Sequence, residues 1–409
     1  MNAELQINRG RLLDRLDRLA EIGAIEDGGC CRLALSDEDR AGRDLLVSWM
    51  RELGMVVRID AIGNVVGIRA GLENVMPVMT GSHIDTVRTG GRYDGNLGVL
   101  AGLEIVAVLN EAGLVTRRPL AVAFFSNEEG ARFAPDMMGS LVYAGGLALE
   151  DALATVGIDG SSVGDNLQRI GYAGDAPCGW LRPHAFLELH VEQGPVLERE
   201  GFDIGAVEGV QGISWSEFTI TGMSNHAGTT PMSMRHDAGY VAAATGTFLR
   251  ELVKETGPSQ LATLGHLQLA PNLVNVIPNR ALFTVDLRNI DEAALQQAEQ
   301  RLFAFVETLA AVEGVTVNHR LLARFEPVAF DRELVGRVEA AARAQGYRVR
   351  RLPSGAGHDA QMMARLAPTA MIFVPSVGGI SHNVREYTAP EHLEAGANLL
   401  LNLLLELAA

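Results

Sequence analysis

The sequence has little of several residue types, and each shortage excludes a class of protein. Only three of its 409 residues are cysteine, and two of these are adjacent, at Cys30 and Cys31. This arrangement provides neither a disulfide framework nor a paired-cysteine metal motif. Basic residues are also in deficit, because 34 Lys and Arg face 50 Asp and Glu, which leaves a net charge of -16. A chain this acidic is not expected to bind nucleic acid or an anionic membrane surface.

Long hydrophobic segments are absent from the sequence as well. The longest, at 399–405, is interrupted by Asn402 and is too short to cross a membrane. The first residues, MNAELQINRGRLLDRL, form a charged helical pattern without the apolar stretch of a secretory signal. Together with the unpaired cysteines, these features predict a cytoplasmic protein with no membrane partner.

The sequence does contain apolar runs that alternate with helical patterns. VMPVMTGS, PLAVAFFS, AFLELHV and AMIFV predict buried strands, and LGVLAGLEIVAVLNEAG predicts an apolar helix ending near Gly113. MVVRIDAIGNVVGIRAG predicts a β-hairpin. Near-continuous apolar strands that alternate with helices are typical of an α/β sheet covered on both faces.

The pattern changes at about residue 210 and changes back after about residue 325. Between these points, the predicted order is strand, helix, strand, strand, helix, strand, which is the ferredoxin-like arrangement. A length of 409 residues also favours two domains. We therefore predict an α/β domain formed by residues 1–209 and 326–409, with a ferredoxin-like domain of residues 210–325 inserted into it.

Residues of the types that bind metal ions follow the ends of four predicted strands. Ligands of open α/β sheets gather at the carboxyl ends of strands, so these side chains are expected to converge. Histidines and carboxylates together predict a metal site, and this number of them predicts a two-metal site. Each segment alone also fits an ordinary structural role, but the convergence favours the metal site. The residues are His83, Glu128, Glu129, His190 and His382, with Asp94 in the turn GGRYDGNLG.

Neighbouring residues indicate how such a site would work. Asp85, two residues after His83, is placed to accept a hydrogen bond from the second imidazole nitrogen and so fix its tautomer. Of Glu128 and Glu129, one carboxylate can bind metal while the other acts as general base. The alternative for this pair is the N-terminus of a helix, where acidic residues are favourable.

The inserted domain carries polar residues that can hold a substrate. His226, in NHAGTTPM, can polarise a carbonyl or stabilise an oxyanion, and Asn275 can orient an amide. Arg288 can clamp a carboxylate with two hydrogen bonds, although an exposed charge on an edge strand is the commoner situation. Gln193, which follows His190, either binds substrate or caps a turn.

Together these segments resemble a known family, the M20-type hydantoinase/carbamoylase amidases. The resemblance runs from about residue 10 to the C-terminus, with the motifs in the family's order and spacing. After the last histidine the chain has SHNVREYT, where many relatives have Ser-Pro, so the resemblance leaves the substrate open. The motifs are GSHIDT, GGRYDG, SNEEG, ELHVEQGP, NHAGTTPM, NVIPNRALFTVDLR, SGAGHDAQ and GGISHN.

The resemblance implies a di-metal, aminopeptidase-like catalytic domain and a smaller lid domain through which two subunits form a homodimer. It implies two divalent ions per subunit, either zinc or one of manganese, nickel and cobalt. It assigns one ion to His83, Asp94 and His190, and the other to Asp94, Glu129 and His382. It makes Glu128 the general base, and it places Gln193, His226, Asn275 and Arg288 at the substrate.

The resulting prediction is a metal-dependent amidohydrolase that cleaves the ureido C–N bond of N-carbamoyl-L-amino acids. The products would be the amino acid, carbon dioxide and ammonia, and the partner is a small ureido carboxylate. Allantoate amidohydrolase and β-ureidopropionase are alternatives within the family, and a di-metal aminopeptidase is a further one. A non-catalytic metal-dependent binding protein is the alternative from another class. Glu128, a glutamate beyond the number needed as ligands, favours catalysis.

Overall fold

The structure, a computed structural model, describes residues 5–409. Residues 1–4, the start of the segment considered above for a secretory signal, lie outside the described residues. Within the described part of the chain, no helix combines the length and hydropathy needed to cross a membrane. The helices are α1 (Arg9–Ala20), α2 (Asp37–Glu52), α3 (Asn96–Glu111), α4 (Met138–Tyr143), α5 (Leu149–Ala154), α6 (Val163–Ile170), α7 (Val196–Glu200), α8 (Ala238–Thr256), α9 (Glu292–Glu313), α10 (Arg332–Ala344), α11 (Asp359–Met363) and α12 (Pro390–Leu407). The strands are β1 (Val56–Ile59), β2 (Val65–Arg69), β3 (Val78–His83), β4 (Leu120–Phe125), β5 (Ala185–Val191), β6 (Ile204–Val210), β7 (Gly212–Thr221), β8 (Leu261–Ala270), β9 (Arg280–Asn289), β10 (Thr316–Phe325), β11 (Val328–Ala329), β12 (Val349–Ser354) and β13 (Thr369–Val374).

The chain divides into two compact units. The first unit contains the chain up to Gly209 and again from Phe330 to Ala409, and the second unit spans Val210–Ala329. The sequence predicted an insertion at residues 210–325. The role of the insertion as a lid and dimerisation domain stays a prediction.

The first unit is built on one mixed sheet, in which the strand order runs β1-β2-β4-β3-β5-β13-β6, and β12 also pairs with β6. At its centre β3 runs parallel to both β4 and β5, and β5 runs parallel to β13. Every residue of these four strands is buried. Such burial on both faces explains their near-continuous apolar sequences, and it confirms the predicted α/β fold class.

Helix α3 packs closely on this sheet because its sequence places small residues where it crosses the strands. A Cβ atom at Gly98 would lie 2.6 Å from the carbonyl oxygen of Leu189 in β5. At Gly95, just before the helix, a Cβ atom would overlap the imidazole of His83. The two glycines therefore bring the start of α3, and Asp94 with it, against the carboxyl end of β3.

The second unit is a four-stranded antiparallel sheet with the order β10-β7-β9-β8. In β9, buried residues alternate with partly exposed ones, as expected when one face of a sheet is covered. Phe218 and Phe283 from the sheet share a buried core with Val241 of α8 and Leu302 of α9. The predicted ferredoxin-like order of elements is confirmed.

A buried ion pair in α2 supports the end of β4. The side chains of Asp39 and Arg43 are both fully buried, with 2.7 Å between Arg43 Nε and Asp39 Oδ2. The Arg43 guanidinium also donates to the carbonyl of Gly63 at 2.7 Å and to Ser126 Oγ at 3.1 Å. Ser126 directly follows β4, so this network helps to fix the segment that carries Glu128.

Substitution of Arg43 by alanine is expected to lower the free energy of unfolding by about 3–5 kcal/mol, because it leaves the Asp39 carboxylate buried without its cation. Arg40→Ala is the matched control, since the Arg40–Asp44 pair has the same helical spacing but its side chains are 54% and 60% exposed. The control should change stability by less than about 1 kcal/mol. Urea denaturation of both variants measures the difference, and equal losses would contradict a structural role for the buried pair.

Candidate metal centre

The parallel strands β3, β4, β5 and β13 end at one edge of the sheet, and the predicted metal ligands lie there. His83 is the last residue of β3 and pairs in register with Phe125, the last residue of β4. His190 lies near the end of β5 and pairs with Phe373 of β13. Because these strands run parallel, the histidines and carboxylates at their carboxyl ends meet at the same edge of the sheet.

The first group of potential ligands consists of His83, Asp94 and His190, which are all buried and each offer one atom within 4.8 Å of the others. Asp94 Oδ1 lies 3.6 Å from His83 Nε2 and 3.1 Å from His190 Nε2. Atoms bound to one tetrahedral ion at about 2.0–2.1 Å lie about 3.3 Å from each other. The spacing of the group therefore fits a single divalent ion.

The orientation of both imidazole rings is set by backbone carbonyls. His83 Nδ1 lies 2.9 Å from the carbonyl oxygen of Asp85, and His190 Nδ1 lies 2.9 Å from that of Val191. A carbonyl oxygen can only accept, so each Nδ1 carries a proton and each Nε2 faces Asp94 Oδ1. His190 Nε2 also accepts the backbone N–H of Gly95 at 3.1 Å.

The structure corrects the predicted contact of Asp85. Its carboxylate does not orient His83, because Oδ1 is 3.9 Å from His83 Nδ1, and the backbone carbonyl of the same residue takes that place. The carboxylate instead accepts the backbone N–H groups of Glu128 at 3.2 Å and Glu129 at 3.3 Å. Asp85 therefore holds the acidic pair in place at the end of β4.

The second group consists of Asp94, Glu129 and His382, whose ligand atoms also lie within 4.8 Å of one another. His382 Nε2 is 3.4 Å from Asp94 Oδ2 and 3.2 Å from Glu129 Oε2. Asp94 thus turns Oδ1 to the first group and Oδ2 to the second, which is the arrangement of a bridging carboxylate. The His382 backbone has a φ of 52°, a strained conformation for a residue with a side chain.

Glu128 lies beside the two groups and belongs to neither. It is 7% exposed, and its Oε2 is 3.4 Å from His83 Nε2. Side chains at adjacent positions of a strand point to opposite faces. Asn127, with a φ of 55°, breaks that alternation, so both glutamates reach the same region.

Burial raises the pKa of several carboxyl groups around this centre. The pKa of Glu128 is well above its usual value because of burial, although His83 opposes the shift. Burial, reinforced by Asp94, raises the pKa of Glu386 to about 7. Burial also raises the pKa of Asp359 to about 8 and that of Asp85 to about 6. The histidines and carboxylates of this donor set fit divalent ions, whose positive charge would favour the ionised form of such buried carboxyl groups.

A cavity of about 90 Å³ opens onto the centre. His358, which was not among the predicted site residues, lines this cavity, and its ring centroid is 4.6 Å from that of His190. His358 Nε2 lies 2.8 Å from Ser354 Oγ, and burial lowers the pKa of this histidine well below its usual value. The motif SGAGHDAQ, which contains His358, was the sequence feature that could have identified it. The cavity is lined by Asp94, Glu128, Glu129, Asp136, His190, Gln193, Ala356, Gly357, His358 and His382.

Gln193 is held against the shared carboxylate. Its Nε2 donates a hydrogen bond to Asp94 Oδ2 at 2.8 Å, and its backbone has a φ of 56°. Its Oε1 is buried and accepts no hydrogen bond from any of the described residues. An acceptor left in this state in a site cavity is available to a ligand that carries N–H groups.

The remaining predicted residues, His226, Asn275 and Arg288, lie in the second unit. The backbone N–H groups of Gly228 and Thr229 donate to His226 Nδ1 at 3.0 and 3.2 Å. The proton of a neutral His226 is therefore on Nε2, which makes that atom a hydrogen-bond donor.

The other two residues are also held by neighbours within the second unit. The carbonyl of Asn275 accepts the N–H of Ala227 at 2.9 Å, so the loops of His226 and Asn275 are adjacent. The Nε and Nη2 atoms of Arg288 donate to Asp286 Oδ2 at 3.1 and 2.9 Å. This pair fixes the plane of the guanidinium group.

Known proteins match this chain over almost its whole length. The model of peptidase family M20/M25/M40 matches residues 79–406. An N-carbamoyl-L-amino-acid amidohydrolase of Rhizobium meliloti is 43% identical over 404 residues, which cover 98% of this chain and 97% of that protein. An allantoate amidohydrolase of Bacillus subtilis is 35% identical over 406 residues, which cover 98% of each protein. The crystal structure of a hydantoinase/carbamoylase family amidase from Burkholderia multivorans is 47% identical, with a TM-score of 0.96 over 99% of this chain and 98% of that one.

Proposed function

The chain belongs to peptidase family M20/M25/M40, and we propose that it is a metal-dependent amidohydrolase that cleaves the ureido C–N bond of N-carbamoyl-L-amino acids. The proposal rests on the position of Asp94, whose Oδ1 faces the first ligand group and whose Oδ2 faces the second. Glu128 lies beside these groups, with its Oε2 near His83. The relatives named as amidohydrolases support the hydrolase class and the ureido substrate.

We propose that each subunit binds two divalent ions, one at each ligand group. The short distances between the ligand atoms within each group support this proposal. Bound there, such ions polarise a substrate carbonyl and lower the pKa of water. A set of imidazole and carboxylate ligands suits zinc, and also manganese, nickel or cobalt. The first group would comprise His83, Asp94 and His190, and the second Asp94, Glu129 and His382.

Glu128 is the proposed general base and acid. Its carboxylate takes a proton from the attacking water and returns it to the leaving nitrogen. The near-complete burial of Glu128 keeps bulk water from competing for that proton. Cleavage of the C–N bond releases the free amino acid as the leaving amine. The carbamate that forms from the rest of the ureido group breaks down to carbon dioxide and ammonia.

Substrate binding is the role that we propose for four further residues. The Nε2–H of His226 would donate to the substrate carbonyl oxygen, since Nδ1 already accepts two backbone N–H groups. Arg288, aligned by Asp286, would hold the carboxylate of the amino acid. Asn275 and Gln193 would orient the ureido group, and the unpartnered Oε1 of Gln193 suits its N–H groups.

Arg288→Ala should raise KM for N-carbamoyl-L-amino acids by about 10–100-fold with a small change in kcat, because hydrogen bonds between charged groups contribute about 1.5–3 kcal/mol. Steady-state kinetics measures both constants. The control is Arg320→Ala, which removes an exposed arginine paired with Glu217 on the same sheet. An unchanged KM for every ureido carboxylate would refute the clamp.

We further propose that the second unit forms a homodimer interface. It exposes large apolar side chains, namely Trp215 at 40%, Leu261 at 48%, Leu267 at 47% and Leu321 at 57%. Trp215 and Leu261 pair with Asp286 and Arg288 of β9 and so share one face of the sheet, and apolar side chains exposed together on one face mark a candidate protein–protein contact. Light scattering should give about twice the chain mass of 43.8 kDa, and a monomer at micromolar concentration would contradict the proposal.

The proposed setting is the cytoplasm, with a small molecule as partner. Cys30, Cys31 and Cys178 are free thiols, which suits a reducing compartment. The net charge of -16 argues against nucleic acid as a partner.

A substrate panel tests the proposed activity. Protein loaded with zinc or manganese is assayed with N-carbamoyl-L-amino acids, their D-enantiomers, N-carbamoyl-β-alanine, allantoate and dipeptides. We expect kcat/KM to be highest for an N-carbamoyl-L-amino acid. Allantoate is the second candidate because the relative from Bacillus subtilis carries that name. A highest value for allantoate or for a dipeptide would reject the proposed substrate.

A further inference from the structure

We infer that Glu386 is a positioning residue that ties the loop of His382 to Asp94 and thereby sets the metal affinity of the second ligand group. The inference rests on the proposed metal centre but not on the identity of the substrate. Glu386 is absent from both ligand groups, and no step of the proposed reaction uses it.

Glu386 joins two segments that are far apart in the sequence. Its side chain is almost fully buried, and its Oε1 accepts the backbone N–H groups of Tyr93 at 3.0 Å and Asp94 at 3.2 Å. Tyr93 and Glu386 are 293 positions apart. The other oxygen, Oε2, accepts the hydroxyl of Ser381 at 3.0 Å. One carboxylate therefore holds the backbone of the shared ligand and the residue before His382.

Ser381 extends this link to the carboxylate of Asp94. Its Oγ lies 3.2 Å from Asp94 Oδ2, the oxygen that faces His382, as well as 3.0 Å from Glu386 Oε2. A serine hydroxyl has one proton, so its two acidic neighbours share one donor. The position of Asp94 Oδ2 is thereby coupled to the position of Glu386.

The Glu386 side chain occupies space that a side chain at position 91 would otherwise fill. A Cβ atom at Gly91 would overlap the carboxyl group of Glu386, so the turn GGRYDG can pass over Glu386 only because position 91 is glycine. The close approach of the turn to Glu386 is what allows both backbone N–H groups to reach the same oxygen.

The second ligand group should depend on Glu386 more than the first. His83 and His190 lie in buried strands, and each ring is fixed by a backbone carbonyl. His382 lies outside regular structure, its side chain is 50% exposed, and its backbone is in the left-handed region. Without Glu386, the His382 loop loses the carboxylate that joins it to Asp94.

The test is a Zn²⁺ titration of the full-length protein against a chromophoric chelator, which resolves the two binding steps. His382→Ala in an otherwise wild-type chain identifies the step that belongs to the second group. Glu386→Ala should weaken that step by about 10–100-fold, as loss of a residue that orients a ligand typically does. The Zn²⁺ affinity of the step that belongs to the first group should change by less than about threefold, well below that loss.

Three variants make the test specific. Glu386→Gln keeps an acceptor for the backbone N–H groups and should lose less affinity than Glu386→Ala. Ser381→Ala breaks the side-chain link alone and should weaken the same binding step. Glu391→Ala, which removes an exposed acid at the start of α12, should bind Zn²⁺ as the wild type does.

The outcomes separate this inference from the proposed centre. If the wild type binds two ions and folded Glu386→Ala binds both with wild-type affinity, the inference alone is overturned. Equal weakening of both steps also overturns it. If Glu386→Ala does not fold, wild-type binding by both Glu386→Gln and Ser381→Ala overturns the inference, and selective weakening in Ser381→Ala supports it. A wild type that binds fewer than two ions overturns both the inference and the proposed centre.

Discussion

Replacing Glu128 with glutamine is expected to lower kcat by about 10²–10⁴-fold while the protein keeps its metal ions. Glutamine has nearly the same shape and can still accept a hydrogen bond, but it cannot take a proton from water. Metal binding should persist because Glu128 belongs to neither ligand group. The measurement combines turnover of an N-carbamoyl-L-amino acid with the metal content of the same sample.

Glu150→Gln provides the matched control, since it makes the same chemical change at an exposed position in α5. Its kcat should equal that of the wild type. If metal-replete Glu128→Gln turned over substrate at a near-normal rate, Glu128 would not be the general base.

Removal of the Asp94 side chain is expected to abolish binding of both metal ions, because its two oxygens face different ligand groups. Asp94→Ala should therefore contain less than one ion per chain and show no measurable turnover. Added zinc should also fail to raise its melting temperature, whereas zinc at about 100 times Kd would stabilise the wild type by about 2.7 kcal/mol.

Comparison with Glu129→Ala shows whether Asp94 binds both ions or only one. Glu129 belongs to the second group alone, so its loss should remove one ion and leave the other. If Asp94→Ala and Glu129→Ala lost the same single ion, Asp94 would not bridge the two groups.

The sequence was informative where local pattern determines structure. His83 and His190 could be placed because apolar strands that alternate with helices form a parallel sheet whose ends share one edge. The ferredoxin-like unit was predicted for a related reason, since WSEFTIT, which lies in β7, alternates apolar and polar residues as a strand with one covered face does. Strands β6 and β12, by contrast, pair with each other although they are far apart in the sequence. Their short segments have no hydrophobic pattern that predicts this pairing.

Side-chain contacts that depend on the path of a loop could not be predicted. Asp85 offers both a carbonyl and a carboxylate near His83, and only the folded loop decides that the carbonyl accepts. Glu386 meets Asp94 from 292 positions away, which no spacing rule anticipates. The tautomer of His226 likewise depends on the turn that points two N–H groups at Nδ1.

Crystals grown with zinc, with anomalous diffraction recorded at the zinc edge, show whether Asp94 lies between two metal ions. We predict two strong anomalous peaks per chain, one beside His83 and His190 and the other beside Glu129 and His382, with the Asp94 carboxylate between them. A single peak, or peaks away from Asp94, would contradict the account.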